Sequence, residues 1–287
     1  MASFAMVKYH GREYPPDIPL KTEEIAAHFD VTVVNGDLKW SLHTEYSYGK
    51  RKFNTARIAR YSELLAAQKE QVPQLWKNEA WAMEFADFLF DLVGSKSDPA
   101  VIEIHPPFND YSDISRFIKI YSFFEEKVKD RFPETEILIE NRCGSVYRGG
   151  KFVISKLADL SNLCELIETT GLSLKVAYDV PQVFTAHQAN KEESFVKLIE
   201  ETKLLRKHIG GVHLWGKKLS KTGRKVSHCG DLDSYFGDAA IKNHFLQTFK
   251  DCFDDGIVRK MVLEVNSGND DLQSIIRDLK NTDVEFI

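Results

Sequence analysis

The chain lacks the marks of several protein classes. Its four cysteines, Cys143, Cys164, Cys229 and Cys252, lie far apart and form no CxxC pair. That excludes a disulfide framework and fits a reducing, cytoplasmic setting. No apolar run approaches the roughly 20 residues that a membrane span needs, so no membrane partner is expected. The opening stretch, MASFAMVKYHGREYPP, has no long apolar region of the kind a secretory signal carries. There is no Pro/Gly/Ser linker, no low-complexity segment and no internal repeat beyond a strand–helix rhythm. An excess of positive charge is also missing: 38 Lys and Arg face 43 Asp and Glu, a net charge of −5. A surface that coats nucleic acid throughout is therefore not expected, although local basic patches remain open. At 287 residues the chain can bury a large core, and residues 1–287 are expected to form a single domain.

What is present is a recurring unit. Leu174–Gln182, LKVAYDVPQ, begins as an apolar run of Leu174, Val176 and Ala177 broken only by Lys175, then stops on Tyr178, Asp179 and Pro181. Such a run reads as a strand buried on both faces. A carboxylate at its end is not needed for packing, so Asp179 is a candidate ligand-binding group. The same shape returns in VIEIH before Pro106, in ILIE before Asn141 and in GVH before Leu214. It returns again in MVLE before Val265 and, more weakly, in LKWSLH over Leu38–His43. These runs finish on His43, His105, Glu140, Asp179, His213 and Glu264. In parallel α/β folds, ligands bind at the carboxyl ends of the strands. Side chains at these ends converge if the sheet closes on itself. The expected fold is therefore α/β, a TIM (β/α)8 barrel with an irregular N-terminal part.

Along the chain, Ser3–Tyr9 reads as the first strand and Thr22–Phe29 as a short helix capped by Thr22. Asp30–Val34 and Leu38–His43 are strand-like around Asn35-Gly36, a hairpin signal. Parallel neighbours need a longer crossover, so residues 31–43 read either as a hairpin or as barrel strands. Helices are expected over Thr55–Gln71 and Pro73–Val93, the second with Trp76, Trp81, Phe85, Phe88 and Leu92 as a core stripe. Further helices are expected over Ile114–Phe132, Leu157–Thr170 (closed by Gly171), Glu192–His208, Asp238–Phe253 and Asp271–Leu279. A long polar loop follows His213, and Val284–Ile287 reads as a short closing strand. Strands alternating with helices imply a parallel sheet.

Singly, each His, Asp or Glu at a strand end has an ordinary structural explanation. Jointly, at the ends of successive strands, they suit a divalent ion such as Zn²⁺ or Mn²⁺. In this context EIHP, LIEN, AYD, GVHLWGK and VLEVNSG resemble the strand ends of the xylose isomerase-like TIM barrels. That superfamily holds endonuclease IV (apurinic endonuclease family 2) and sugar isomerases and epimerases. The resemblance runs from His43 to Asn266. By analogy with the epimerases, it implies that Glu140, Asp179, His213 and Glu264 hold one metal ion. By analogy with endonuclease IV, it implies that His43 and His105 hold a second, with Glu140 bridging. Gln182 stands where endonuclease IV has a histidine after the strand aspartate, and Val226 where it has the aspartate of an Asp-x-His pair ending here at His228. One or two ions are implied rather than three.

Three loops expected above this face are basic. They carry Lys50, Arg51, Lys52, Arg57 and Arg60; Arg142, Arg148 and Lys151; and Lys217, Lys218, Lys221, Arg224 and Lys225. A positive mouth favours an anionic substrate such as a phosphodiester or sugar phosphate. Tyr46, Tyr48, Phe53, Tyr147 and Trp215 accompany the charges and could stack on bases or sugar rings. Candidate substrate contacts are Arg142, Gln182, Trp215, Lys217, Lys218 and His228. Two enzymatic readings follow. The first is an endonuclease IV-like hydrolase acting on an anionic substrate such as damaged DNA. The second is a sugar or sugar phosphate isomerase or epimerase with Glu140 and Glu264 as its catalytic acid/base pair.

Overall fold

The computed structural model describes residues 1–26, 37–44, 59–67, 74–220 and 222–287. Its strands are β1 (Ser3–Lys8), β2 (Thr22–Ala26), β3 (Lys39–His43), β4 (Val101–Ile104), β5 (Glu136–Glu140), β6 (Lys175–Asp179), β7 (Ile209–Leu214), β8 (Lys217–Leu219), β9 (Lys225–Ser227), β10 (Arg259–Leu263) and β11 (Glu285–Phe286). β1 to β7 pair in chain order, and β10 joins β7 to β1. All these pairings are parallel, with Phe4 opposite Arg259 and Val7 opposite Val262 at the closure. This is a closed (β/α)8 barrel. β11 adds beside β1, and β8 and β9 form a separate antiparallel hairpin.

The helices are α1 (Ser62–Ala66), α2 (Glu79–Val93), α3 (Ile114–Arg131), α4 (Leu157–Thr170), α5 (Val180–Ala186), α6 (Glu192–Thr202), α7 (Leu232–Phe236), α8 (Ala239–Phe253) and α9 (Asn269–Asn281). None among the described residues is long and apolar enough to cross a membrane. Side chains alternate across each strand. Ile102, Ile104, Ile137, Ile139, Val176, Tyr178, Met261 and Leu263 face outward into the main core shared with the helices. Val101, Leu138 and Ala177 form a small separate cluster, and Val7, Tyr9 and Val262 another; together they fill the barrel interior. Two residues further along β4, β5, β6 and β10, the inward position is Glu103, Glu140, Asp179 and Glu264. The barrel is thus apolar low down and ionisable above.

Most expected elements are found within a few residues of their expected bounds, and Gly171 closes α4 in the left-handed conformation that glycine tolerates best. The exceptions are informative. Thr22–Ala26 is a strand, not the start of a helix: it pairs with β1 and, along its whole length, with β3. Barrel closure overrides the helical preference of a Glu-Glu-Ile-Ala stretch. β3 is parallel to both neighbours, so Leu38–His43 supplies a barrel strand. The Asp30–Val34 run and Asn35-Gly36 lie outside the described residues. α2 begins at Glu79 rather than Pro73, because Asn78 caps it by accepting from Trp81 N. Pro181, read as a breaker, sits in the first turn of α5, where its missing N–H is harmless. The polar loop after His213 contains the β8–β9 hairpin and α7.

Candidate metal centre

The strand ends bring His43, His105, Glu140, Asp179, His213 and Glu264 into adjoining groups of mutually close ligand atoms. Each position follows from an apolar run that packs outward and then stops at the rim. His43 Nε2 lies 3.2 Å from His105 Nε2 and 3.5 Å from Glu140 Oε2, while His105 Nε2 lies 2.7 Å from Glu140 Oε2. On the other side, His213 Nδ1 lies 3.3 Å from Glu264 Oε1, and Asp179 completes that group.

Two carboxylates that the sequence reading did not single out belong here. Glu103 stands on β4 two residues before His105, with Oε2 3.2 Å from His213 Nε2. Glu24 stands on β2 with Oε2 3.5 Å from His43 Nδ1. The period of two in VIEIH already puts Glu103 on the side of His105; Glu24 was hidden by the helical reading of its strand.

The residues fit a divalent cation. A tetrahedral zinc site with bonds of about 2.0–2.1 Å has donor–donor edges of roughly 3.3 Å, close to the spacings around His43. The charge is also unbalanced. Glu24, Glu103, Glu140, Asp179 and Glu264 are all buried, and among the described residues Arg142 is the one Arg or Lys side chain hydrogen-bonded to any of them. Buried carboxylates in such excess need counter-charge. Glu24 Oε1 and Glu103 Oε1 are buried with no hydrogen-bond partner among the described residues.

Titration behaviour reflects the same crowding. Burial alone would depress His43, but the Glu103 and Glu24 carboxylates outweigh it and hold the ring well above the ordinary imidazole range. His213 is raised in the same way by Glu103 and Glu264. Burial pushes His105 down to about 4. Burial, with Glu140 and Glu264 nearby, pushes Asp179 up to about 7. Burial opposes ionisation of Glu140 and Glu264, yet Arg142 and His105 hold the first, and His213 and His228 the second, well below the carboxylate range.

The candidate substrate contacts divide into inner and outer groups. Arg142 turns inward, its Nη1 donating to both oxygens of Glu140 at 2.8 and 2.9 Å. Gln182 Nε2 donates to Glu140 Oε1 and, at 2.8 Å, to Asp179 Oδ2. Trp215 Nε1 donates to Asp179 Oδ2 at 3.0 Å, and its ring stacks on His228 at 4.2 Å. His228, left-handed at φ 57°, places Nδ1 3.1 Å from Glu264 Oε2. Gly216 makes this loop possible, since a Cβ there would lie 2.3 Å from the Gly230 carbonyl oxygen. Lys217 Nζ donates to Thr185 Oγ1 and lies over the Trp215 and Tyr235 rings. Lys218, Arg224 and Lys225 are exposed on the β8–β9 hairpin, and Arg148 and Lys151 on the loop after β5. Lys50, Arg51, Lys52, Arg57, Lys221, Tyr46, Tyr48 and Phe53 lie outside the described residues. A cavity of about 800 Å³ lies beside the loop after β5, lined in part by Cys143, Lys151 and Thr185.

Fold and site together define a TIM barrel with a ring of buried histidines and carboxylates at the carboxyl ends of its strands. No family model and no curated protein matches the sequence. Among solved structures, the chain is similar to an AP endonuclease, family 2, from Brucella melitensis, with 11% identity over 93% of this chain and 94% of that one and a TM-score of 0.51. It is also similar to a xylose isomerase domain protein from Planctomyces limnophilus, with 12% identity over 97% and 93% and a TM-score of 0.48. The first likeness bears out the expected TIM (β/α)8 barrel fold.

Proposed function

We propose that this chain is a metal-dependent phosphodiester hydrolase, endonuclease IV-like, acting on an anionic substrate such as damaged DNA. Zn²⁺ or Mn²⁺ would be held by His43, His105 and Glu140 on one side and by Asp179, His213 and Glu264 on the other. Ions there would polarise a phosphoryl oxygen and lower the pKa of a bound water. Arg142 and Gln182 hold the Glu140 carboxylate in place. Lys217, with Lys218, Arg224 and Lys225 on the hairpin, would receive the phosphate backbone, and Trp215 and His228 would form a stacking floor. The fold shared with an AP endonuclease is in keeping with this reading but does not carry it, since one barrel serves many chemistries.

The contact of Arg142 with both oxygens of Glu140 favours this reading over the isomerase or epimerase. Acid/base catalysis at a sugar carbon needs carboxylates whose pKa lies near the working pH. Glu140 and Glu264 are both held well below the usual range, Glu140 by a two-oxygen contact with Arg142. Carboxylates held in that way suit ligation better than proton transfer. The test is to load the protein with Zn²⁺ or Mn²⁺ and offer it duplex DNA with an abasic site, other phosphodiesters, sugars and sugar phosphates. Strand incision that stops on chelation is the expected result. Sugar isomerisation without incision would transfer the assignment to the second reading.

A further inference from the structure

We propose that Glu24 and Glu103 are positioning residues that aim His43 and His213 at the two metal positions. The inference rests on the metal reading above and deepens it. The two histidines are arranged alike, each with one ring nitrogen on an inner carboxylate and the other turned to a ligand group. His213 Nε2 sits 3.2 Å from Glu103 Oε2. Its Nδ1 is buried, has no hydrogen-bond partner among the described residues and faces Glu264 Oε1 at 3.3 Å. His43 Nδ1 faces Glu24 Oε2 at 3.5 Å, while its Nε2 faces His105 Nε2 at 3.2 Å, Glu140 Oε2 at 3.5 Å and, further off, Glu103 Oε1 at 3.7 Å.

A neutral imidazole has one donor nitrogen and one acceptor nitrogen. A carboxylate on one nitrogen draws the proton there, leaving the other lone pair free and the ring fixed in direction. Glu24 and Glu103 stand where they can do this for one histidine of each group. A purely structural role accounts poorly for them. Each is at most 4% exposed, and each has one oxygen without a hydrogen-bond partner among the described residues. Glu103 Oε1 looks toward His43 Nε2 at 3.7 Å, beyond hydrogen-bond distance, and a buried oxygen left short of a donor is a cost to the fold. Glu103 also lies opposite Leu138, one step deeper than the rim, at a level where an apolar side chain would extend the interior cluster of Val101, Leu138 and Ala177.

The test compares the wild type with E24Q, E103Q, E24L and E103L. Zn²⁺ and Mn²⁺ affinities are measured by competition with a chromophoric chelator, and each metal-free protein is also melted. Each glutamine variant should weaken uptake of one ion by about tenfold to a hundredfold, and each leucine variant by more. The melting temperature of the metal-free glutamine variants should stay close to that of the wild type, because glutamine keeps the shape of the side chain and a hydrogen-bonding group against each histidine. A structural role predicts the reverse, a lower melting temperature with affinities within about twofold of wild type. That result overturns the inference and leaves the metal reading standing. Failure of the wild type itself to take up either ion overturns both.

Discussion

The two ends of the barrel treat charge in opposite ways. At the floor, Glu136 is met by Lys175 at 2.9 Å and by Lys260, and Arg259 is wrapped by Asp255 and by the carbonyl oxygens of Ile209 and Arg206. Each of these charges, buried at Arg259 and half-exposed at Glu136, has its complement. At the rim, five buried carboxylates surround four histidines and a single arginine, and some oxygens have no hydrogen-bond partner among the described residues. Protons held on His43 and His213 offset part of that negative charge in the metal-free ring, and a bound cation would offset it in their place. The floor pairs its charges, and the rim gathers groups that could hold a cation.

That contrast can be broken from either end. The largest effect is expected at the rim. Glu140→Gln should lower hydrolytic activity on the order of a thousandfold, the scale of several kcal/mol of transition-state stabilisation, while far-UV circular dichroism stays unchanged. Retained activity would remove Glu140 from the centre. The matching change at the floor is Arg259→Met. It leaves Asp255 with Arg206 as its remaining ion-pair partner and three carbonyl oxygens short of a donor, and should cost about 1–3 kcal/mol of unfolding free energy, measured by urea titration, with metal content per chain unaltered. Loss of metal from that variant would erase the distinction between the two ends.

Acidity sharpens the comparison further. His43 and His213 are held above the ordinary imidazole range, so in the metal-free protein they keep protons that an incoming ion must displace. Metal affinity should therefore fall as pH drops, by up to about tenfold per unit for each proton released. Calorimetric titrations between about pH 6 and 8 give the slope, and a flat profile would contradict the protonated state of these rings. The smallest effect is expected outside the ring. Lys218→Ala on the exposed hairpin should weaken DNA binding a few-fold, regardless of sequence, and reduce the salt slope by about one. An unchanged slope would mark the hairpin as ordinary solvated surface.

Part of the candidate site was legible in the chain because its signals are local. An outward-facing apolar run that stops at a polar residue needs only a few neighbouring positions to be recognised. His105, Glu140, Asp179, His213 and Glu264 all stand in such settings. Glu103 was visible in principle, two positions before His105 inside VIEIH, but a lone Glu within a buried strand carries no breaker to announce it. Glu24 was not visible, since TEEIA has helical preference and becomes a strand only because β1 and β3 pair with it. The inward turn of Arg142 was equally hidden. Its place in a basic, glycine-rich loop pointed outward to substrate, whereas Glu140 two residues earlier draws it into the barrel.

The sequence by itself determined the alternation of strands and helices, the outward apolar face of each strand and the ionisable residues at their ends, because these follow from hydrophobic period and chain breakers. Only the tertiary structure decided which of those residues meet. Pairing of β1 with β10 closes the ring, and closure sets the inward residues of distant strands within a few ångströms of one another. It recruits Glu24 and Glu103, turns Arg142 onto Glu140 and seats His228 against Trp215. Burial and mutual distance, which no local pattern encodes, then set the charge of each group.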